Sequence, residues 1–545
     1  MEKRLLIAIV LSFLVLVLYQ ALFLKQEPAP EPVIQPPETA ETSPQAVVPQ
    51  PEPPPSEQTE EEPGFEPVSA QREEDIIVDT SLYYAVWSNK GAVLKSWRLK
   101  EYYKDNREEN IELVTDQASE INRYPFSVIT DDPQFAADIN SSLFISSSSS
   151  LNLQNGKSGE IIFEFADKTG TKVEKILRFF DGNYDIDVQI NIWRNGQKIN
   201  SGLSWGPSIR SVSLETQKSF GGSMGMTVLA ANKIYNLEEK KYKPEQSVFN
   251  FVNWAAYSDN YFTALFVTTS QNTSASMVKE QVDSASYFFL RVNSVQKAYL
   301  GPKKYDLLAQ FGHEAQKLVR FGMFGFIAEI LYKSIKAIHK TIPNWGFCII
   351  ILTLIIKVLF FPLTYSSSKS MARMQELQPK LKALKAKYKK AKQDIAQRRK
   401  LNEETMALYK EHGVNPAGGC LPLLIQLPIF WGFFRLLVVA VEFRHSPFIL
   451  WINDLSVKDP YYITPILMGI TQFISQKMTP TSADSSQQKM MLIMPVVMTI
   501  FFMNFQSGLV LYWLTNNVLQ IGQQYITNKL MKKKKRDSNA KRRKK

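Results

Sequence analysis

The sequence predicts a mixed fold: an α-helical core crossing a membrane several times, a large antiparallel β-sandwich outside that membrane, and a helical hairpin on one loop of the core. Three observations predict it. The apolar residues of the 545-residue chain are gathered into runs near its start and in its last third. Between them lies a long stretch of short alternating runs divided by turn residues. Segments rich in Lys and Arg fall between the apolar runs in a regular order. Length and period separate the two kinds of run, since roughly 20 apolar residues cross a bilayer as a helix while strict alternation marks a half-buried strand.

Residues 1–25 read as a signal anchor. Leu5 to Leu24 is nearly unbroken apolar sequence behind Lys3 and Arg4, and no small-residue cleavage site follows Ala21, so the segment is expected to stay as a transmembrane helix. Residues 26–75 are a tether, because a stretch such as Glu52-Pro53-Pro54-Pro55 cannot bury enough apolar surface to fold. From Ile76 the texture changes. Ile161 to Phe165, Val173 to Phe180 and Tyr184 to Ile192 read as strands, with Lys168-Thr169-Gly170, Asp181-Gly182-Asn183 and Arg194-Asn195-Gly196 as hairpin turns. The sandwich is expected over 76–320. Residues 321–344 follow as an amphipathic helix, with Phe324, Ile327, Ile330, Leu331, Ile335 and Ile338 interleaved with Glu329, Lys333, Lys336 and Lys340. That spacing fits a helix lying on the membrane surface, or one packed on the sandwich.

The core, 345–530, holds five more apolar runs: Trp345 to Pro362, Leu421 to Val441, Tyr461 to Gln476, Met490 to Phe505 and Gly508 to Thr527. With the anchor they make six crossings, which puts both termini on one side. Lys3 and Arg4 begin the chain, a basic tail over 531–545 ends it, and the loop Ser366 to Asn415 is rich in Lys and Arg. Positive loops stay in the cytoplasm, so the termini, that loop and the link Lys477 to Lys489 belong there and the sandwich lies outside. Within 366–415, Met371, Met374, Leu377, Leu381, Leu384 and Tyr388 recur at helical spacing, a polar break covers Lys389 to Gln393, and a second helix runs from about Asp394 to Glu411. This is a helical hairpin pattern.

Several function classes are excluded. The two cysteines, Cys348 and Cys420, sit in or beside predicted spans, so the exported region has no disulfide framework. His313, His339, His412 and His445 are scattered and give no metal-ligand spacing. No phosphate-binding loop occurs, so no nucleotide is expected. The net charge of +12 resides in membrane-flanking loops and the tail, where topology and anionic lipid explain it; a ribosome could use the same tail. Gly221-Gly222-Ser223-Met224-Gly225 fits a serine-hydrolase elbow, but it lacks the strand-turn-helix context and has only His313 downstream in the exported region, so it reads as a Gly-rich loop. No catalytic residue, cofactor or metal is expected.

The candidate chemistry lies in the core. Lys357 sits within the first of its spans, four residues after Thr353 and on the same helix face. A charge there costs roughly 2.5 to 3.5 kcal/mol, so it should face a wet cavity unless it snorkels to the membrane edge. Polar stripes lie on the other spans: Gln426 with Phe430, then Thr464, Met468, Thr471, Gln472 and Ser475, then Tyr512, Asn516, Gln520 and Gln523. Singly such stripes glue helices together. With an unpaired lysine they suggest a hydrated groove. Arg435 is a second charge, expected to snorkel outward or pair with Glu442. The last five spans contain no Asp or Glu, which argues against ion-coupled transport.

The stretch Asn415-Pro416-Ala417-Gly418-Gly419-Cys420-Leu421-Pro422-Leu423-Leu424-Ile425-Gln426-Leu427-Pro428-Ile429-Phe430 resembles the YidC membrane-protein insertase family. So do Pro447 to Ile452, Asp459-Pro460-Tyr461-Tyr462 and Ser507 to Trp513. The resemblance implies a bacterial inner-membrane protein of the Gram-negative type, with anchor, tether, periplasmic β-supersandwich, surface helix and five core spans. It implies an insertase and chaperone for nascent integral membrane proteins, working alone or with the Sec translocon and its accessory subunits. The family's groove carries one positive residue, usually arginine, and Lys357 holds that place here. Thr353, Phe430, Met468, Tyr512 and Trp513 match positions along the family's substrate path, and Gln426, Gln472 and Asn516 complete the expected groove. The family's sandwich resembles sugar epimerases, yet no His lies between Ile76 and Gly312 to act as their acid.

Overall fold

The computed structural model describes residues 65–209, 224–269, 273–322, 324–388, 394–414, 421–479 and 485–543. The expected anchor, residues 26–64 of the tether, Cys420 and most of the Gly-rich loop at 221–225 lie outside the described residues, while the end of the expected tether belongs to the β unit, Val68 pairing with Ala166 and a strand starting at Asp75. The described chain forms a β-rich unit that ends at Gly301 and a helical unit that begins at Pro302.

The β unit contains three sheets. One has five strands in the order Asn110–Glu112, Val93–Tyr103, Tyr83–Ser88, Asp75–Asp79 and Ser150–Asn152. A second, of ten, runs through Lys233–Glu238, Gly225–Ala230, Val252–Ser258, Phe262–Thr268, Val295–Pro302, Asp185–Arg194, Thr171–Phe180, Ser158–Ala166 and Ile145–Ser146, with Gln197–Lys198 added at Asp185–Arg194. The third orders Val248–Asn250, Ser274–Val282, Ala285–Asn293, Gly202–Trp205 and Ser127–Ile129. The hairpins read from the sequence are present: Ser158–Ala166, Thr171–Phe180 and Asp185–Arg194 pair antiparallel in succession. Gly170 and Gly182 take the positive φ those turns require, 87° and 84°. Trp87, Trp97, Trp205 and Trp254 are fully buried at the centre. Two helices, α1 (Asp116–Glu120) and α2 (Pro133–Ser141), complete the unit.

One residue breaks the apolar alternation. In Thr171–Phe180 the inward row is Val173, Lys175, Leu177 and Phe179, all with no exposed surface. The Lys175 amine donates to the carbonyls of Ala92 at 2.7 Å, Phe126 at 2.9 Å and Gly91 at 3.3 Å. All three residues have positive φ. Burial pushes the amine's pKa down to about 7. The unfolded chain therefore binds more protons between about pH 7 and the ordinary lysine value near 10.4, and stability rises with pH across that window by up to about 1.4 kcal/mol per pH unit. Lys175→Met removes that rise. Denaturant unfolding of both chains at pH 7 and pH 9, followed by the buried tryptophans, measures it; the same pH dependence in both would contradict a buried amine.

The helical unit comprises α3 (Tyr305–Phe311), α4 (Gly325–His339), α5 (Trp345–Leu359), α6 (Phe361–Glu376), α7 (Gln378–Lys387), α8 (Ile395–Glu411), α9 (Leu421–Val439), α10 (Ile463–Met478), α11 (Ser485–Phe502) and α12 (Ser507–Arg543). Helix α12 packs along α5 and α10, α10 packs on α11, and α4 lies across α5 and α9. Asn344 caps α5, its side chain accepting from the Phe347 amide. The helix stops at Phe360 because Pro362 has no amide hydrogen and its ring crowds the carbonyl of Val358. Helices α5 and α6 meet there at 60°. Helices α7 and α8 pack side by side, with the Lys387 amine and the Tyr388 hydroxyl both on Glu404, at 2.9 and 2.5 Å.

Among the described residues no single helix is long and apolar enough to cross a membrane; α5 and α6 meet that description only as a bent pair. Both reasons are physical. Helix α5, of 15 residues, spans about 22 Å against a hydrocarbon core of about 30 Å. Helix α12 is long, but Asn516, Asn517, Gln520, Gln523 and Gln524 dilute its apolar half. What the unit presents outward is nevertheless apolar. Leu354, Ile355, Val358 and Leu359 on α5, Ile466 and Ile470 on α10, and Ile493, Val496, Val497 and Ile500 on α11 are exposed, a surface suited to lipid rather than water.

Helix α4 packs on the helical core through Ala328, Leu331, Tyr332 and Ile335, and leaves Phe326 77% exposed. Of the two expectations for Arg435, pairing with Glu442 does not occur. The guanidinium donates to the carbonyl of Arg320 at 3.0 Å, and Glu442 accepts from the Tyr332 hydroxyl at 2.7 Å. The surface helix, distant in sequence, took the carboxylate that looked nearest to Arg435.

Candidate groove in the helical unit

Lys357 stands in the last turn of α5, about 18 Å along the helix from Trp345. Its amine donates to Gln520 Oε1 on α12 at 2.7 Å. Among the described residues that neutral amide is its partner and no carboxylate pairs with it. Beyond the bend the same helix continues the contact. Gln523 donates to the Thr364 hydroxyl, and the Ser368 hydroxyl lies 3.5 Å from Gln524 Oε1. Asn517 reaches the other way, donating to the Met468 carbonyl on α10 at 3.2 Å. The spacing of 513, 516, 517, 520, 523 and 524 puts these side chains on the buried flank of α12.

An aromatic cluster lies nearer the other end. Trp513 Nε1 donates to Gln472 Oε1 on α10 at 3.2 Å. Its ring meets Phe430 of α9 edge-on at 5.2 Å and Phe502 of α11 at 5.5 Å. Tyr512 stacks on Phe433 at 4.3 Å and is hydrogen-bonded to the Gln426 side chain. Of the nine expected groove residues, Lys357, Gln426 and Gln472 are half-buried, while Thr353, Phe430, Met468, Tyr512, Trp513 and Asn516 are buried. The Thr353 hydroxyl returns to its own helix, donating to the Ile349 carbonyl at 2.6 Å. The half-buried members are thus all polar, and the aromatic ones, Phe430, Tyr512 and Trp513, pack against each other. Sequence reasoning put Gln520 and Gln523 in a stripe without selecting them, and passed over Thr364, Ser368, Asn517 and Gln524.

At the start of α5, α10 and α12 a compact roof closes the unit. Asp459 is buried; its carboxylate accepts from the Thr464 hydroxyl at 2.6 Å, the Thr464 amide at 2.8 Å, the Tyr461 amide at 2.9 Å and Trp451 Nε1 at 3.1 Å. Burial alone would raise its pKa, but these hydrogen bonds outweigh burial and hold it below the ordinary carboxylate value. The Ser507 hydroxyl donates to the carbonyls of Val457 at 2.5 Å and Asp454 at 2.9 Å. Asn344 donates to the Phe448 carbonyl at 3.2 Å, and Gly346 leaves room for the Phe448 ring.

The β unit has a cleft of about 550 Å³. Its charges are already paired: Lys95 with Glu73 at 2.7 Å, and Glu280 with both Arg291 at 2.6 Å and Arg123 at 2.9 Å. Neither His nor Cys is among its described lining residues, so it offers no imidazole or thiol for acid, base or nucleophilic work.

Two family descriptions match the chain: "YidC periplasmic domain" over residues 75–334 and "60Kd inner membrane protein" over 337–535. The membrane protein insertase YidC of Syntrophus aciditrophicus is 38% identical across 97% of this chain and 100% of its own length. That of Geotalea daltonii is 36% identical across 97% and 99%. Among solved structures, an active YidC insertase with its first transmembrane domain resolved covers 85% of this chain and 95% of its own at 19% identity and a TM-score of 0.37. A galactose mutarotase-like protein from Lactobacillus casei covers 42% of this chain and 99% of its own at 10% identity and a TM-score of 0.30. Two matched regions filling most of the chain, and relatives alike from end to end, establish that it belongs to the YidC family of membrane protein insertases.

Proposed function

We propose that this insertase works by offering one uncompensated cation, Lys357, to the polar or acidic tail of a client segment. The apolar part of the client meanwhile slides along α9 and α11 into lipid. The observation that carries the reading is the Lys357 amine resting on a neutral amide, with no carboxylate beside it among the described residues. A tail drawn to that amine has a shorter passage through hydrocarbon, and burial of the client's side chains, about 0.8 kcal/mol per CH₂, drives the rest without nucleotide. Helices α5, α10 and α11, of 15, 16 and 18 residues, are short enough to thin the bilayer around them and lower the barrier further. The roof of residues 447–459 closes the outer end, and the groove opens toward the cytoplasm and lipid.

In this arrangement the chain crosses the inner membrane six times with both termini in the cytoplasm and the β unit, a supersandwich, in the periplasm. Helices α7 and α8 form a cytoplasmic hairpin. Its lysines and the basic tail serve the ribosome and anionic lipid. Nascent membrane proteins are the clients, taken alone or from the Sec translocon and its accessory subunits, and held as by a chaperone during assembly. No catalytic step, cofactor or nucleotide enters. Phe430, Phe502 and Trp513 join α9, α11 and α12, so a client passing between α9 and α11 must part them. Photo-crosslinkers at Phe430 or Trp513 therefore capture a ribosome-bound nascent membrane protein, while one at the outward Phe326 does not. Equal capture from all three positions would count against the groove.

A further inference from the structure

Helix α12 grips the first core span on both sides of its bend. Gln520 holds Lys357 ahead of Phe360, while Gln523 and Gln524 hold Thr364 and Ser368 beyond it. A lysine free to snorkel would extend along its helix axis toward the nearer membrane edge. This one is drawn sideways, across to the facing helix, by a single acceptor at 2.7 Å. An ammonium has three donors, and among the described residues one is used. An amide oxygen is a weaker partner for a cation than a carboxylate, because a bond between two ionised groups is shorter and stronger. The amide therefore holds the amine in place without neutralising it, and yields when an anion arrives.

We propose that Gln520 is the positioning residue of the groove: its amide oxygen parks the Lys357 ammonium against α12 in the empty insertase, and a client carboxylate displaces it. This rests on the electrostatic reading of Lys357 and adds to it where the cation waits and what it lets go. Two consequences follow. The position of the charge matters more than the helix that supplies it, so exchanging the two residues keeps the site. A carboxylate placed at 520 occupies the cation permanently.

The test compares initial insertion rates into vesicles containing the full chain, for one client with an acidic tail and the same client with a neutral tail. The readout is the ratio of the two rates, which a merely structural role would leave unchanged because both clients would slow together. Lys357→Gln is expected to lower the ratio about ten-fold, the size of one hydrogen bond to a charged group. Lys357→Gln combined with Gln520→Lys restores most of it. Gln520→Glu alone lowers it as far as Lys357→Gln does. If Lys357→Gln lowers the ratio while the exchanged pair fails to restore it and Gln520→Glu leaves it intact, the role of Gln520 is overturned and the cation's role stands. If Lys357→Gln leaves the ratio unchanged, the electrostatic reading falls and this proposal with it. Equal slowing of both clients by Gln520→Glu assigns Gln520 to packing and also overturns it.

Discussion

Lys357→Glu abolishes insertion of acidic-tailed clients and Lys357→Arg retains it. The cause is the apolar surround of α5, where exposed Leu354, Ile355, Val358 and Leu359 face outward, so that a charge pair in the groove is screened less than it would be in bulk water. A favourable hydrogen bond between charged groups contributes about 1.5 to 3 kcal/mol, so its loss alone slows entry roughly ten- to hundred-fold. Glutamate does more than remove it. It places a like charge in the path of the tail, which repels it. Arginine keeps the sign, and its fork can take Gln520 with one arm and a client carboxylate with another. Insertion rates into vesicles for clients carrying acidic or neutral tails separate these outcomes. Equal activity of the arginine and glutamate variants would remove electrostatics from the mechanism.

How far this was readable in the sequence differs between elements for identifiable reasons. The hairpins over 158–194 were legible because Gly170, Gly182 and Gly196 stand where the backbone needs positive φ. The helices of the core are legible from their apolar runs, the first of which, Trp345 to Pro362, extends three residues past the end of α5. The proline ends α5 at Leu359, which places Lys357 in its last turn. The amide stripe on α12 was visible, but the partner of Lys357 was not. Which amide meets the amine depends on how α5 and α12 cross, and spacing along one helix cannot encode that. Lys175 was hidden for a similar reason. Its acceptors are three carbonyls turned inward by positive φ at Gly91, Ala92 and Phe126, in segments far from it in the chain. Arg435 shows the converse: of its two expected roles, nearness in sequence offered a pair with the next acid along, Glu442, while tertiary packing gives that acid to Tyr332.

Asp459→Ala loosens the roof and costs the helical unit about 3 to 5 kcal/mol, because it removes one acceptor but strands four donors: the Thr464 hydroxyl, the amides of Thr464 and Tyr461, and Trp451 Nε1. Asp459 is 1% exposed, so water cannot replace the lost acceptor at once, and a stranded buried donor costs about 1 to 3 kcal/mol. Partial relaxation of the loop toward solvent keeps the total below the sum. Asp459→Asn is milder, since its amide oxygen still serves one or two of the donors while its NH₂ opposes the others. The acid limb follows from the same geometry. With its folded pKa below the ordinary value near 3.9, the carboxylate contributes its stability above about pH 4, and that contribution is lost as pH falls through the folded pKa. Thermal unfolding of the full chain in detergent at pH 7 and below about pH 3 tests both statements. The wild type is expected to lose part of its advantage over Asp459→Ala at the acid end, and an advantage that is absent at pH 7 would mean that the roof is held by Ser507 and Asn344 alone.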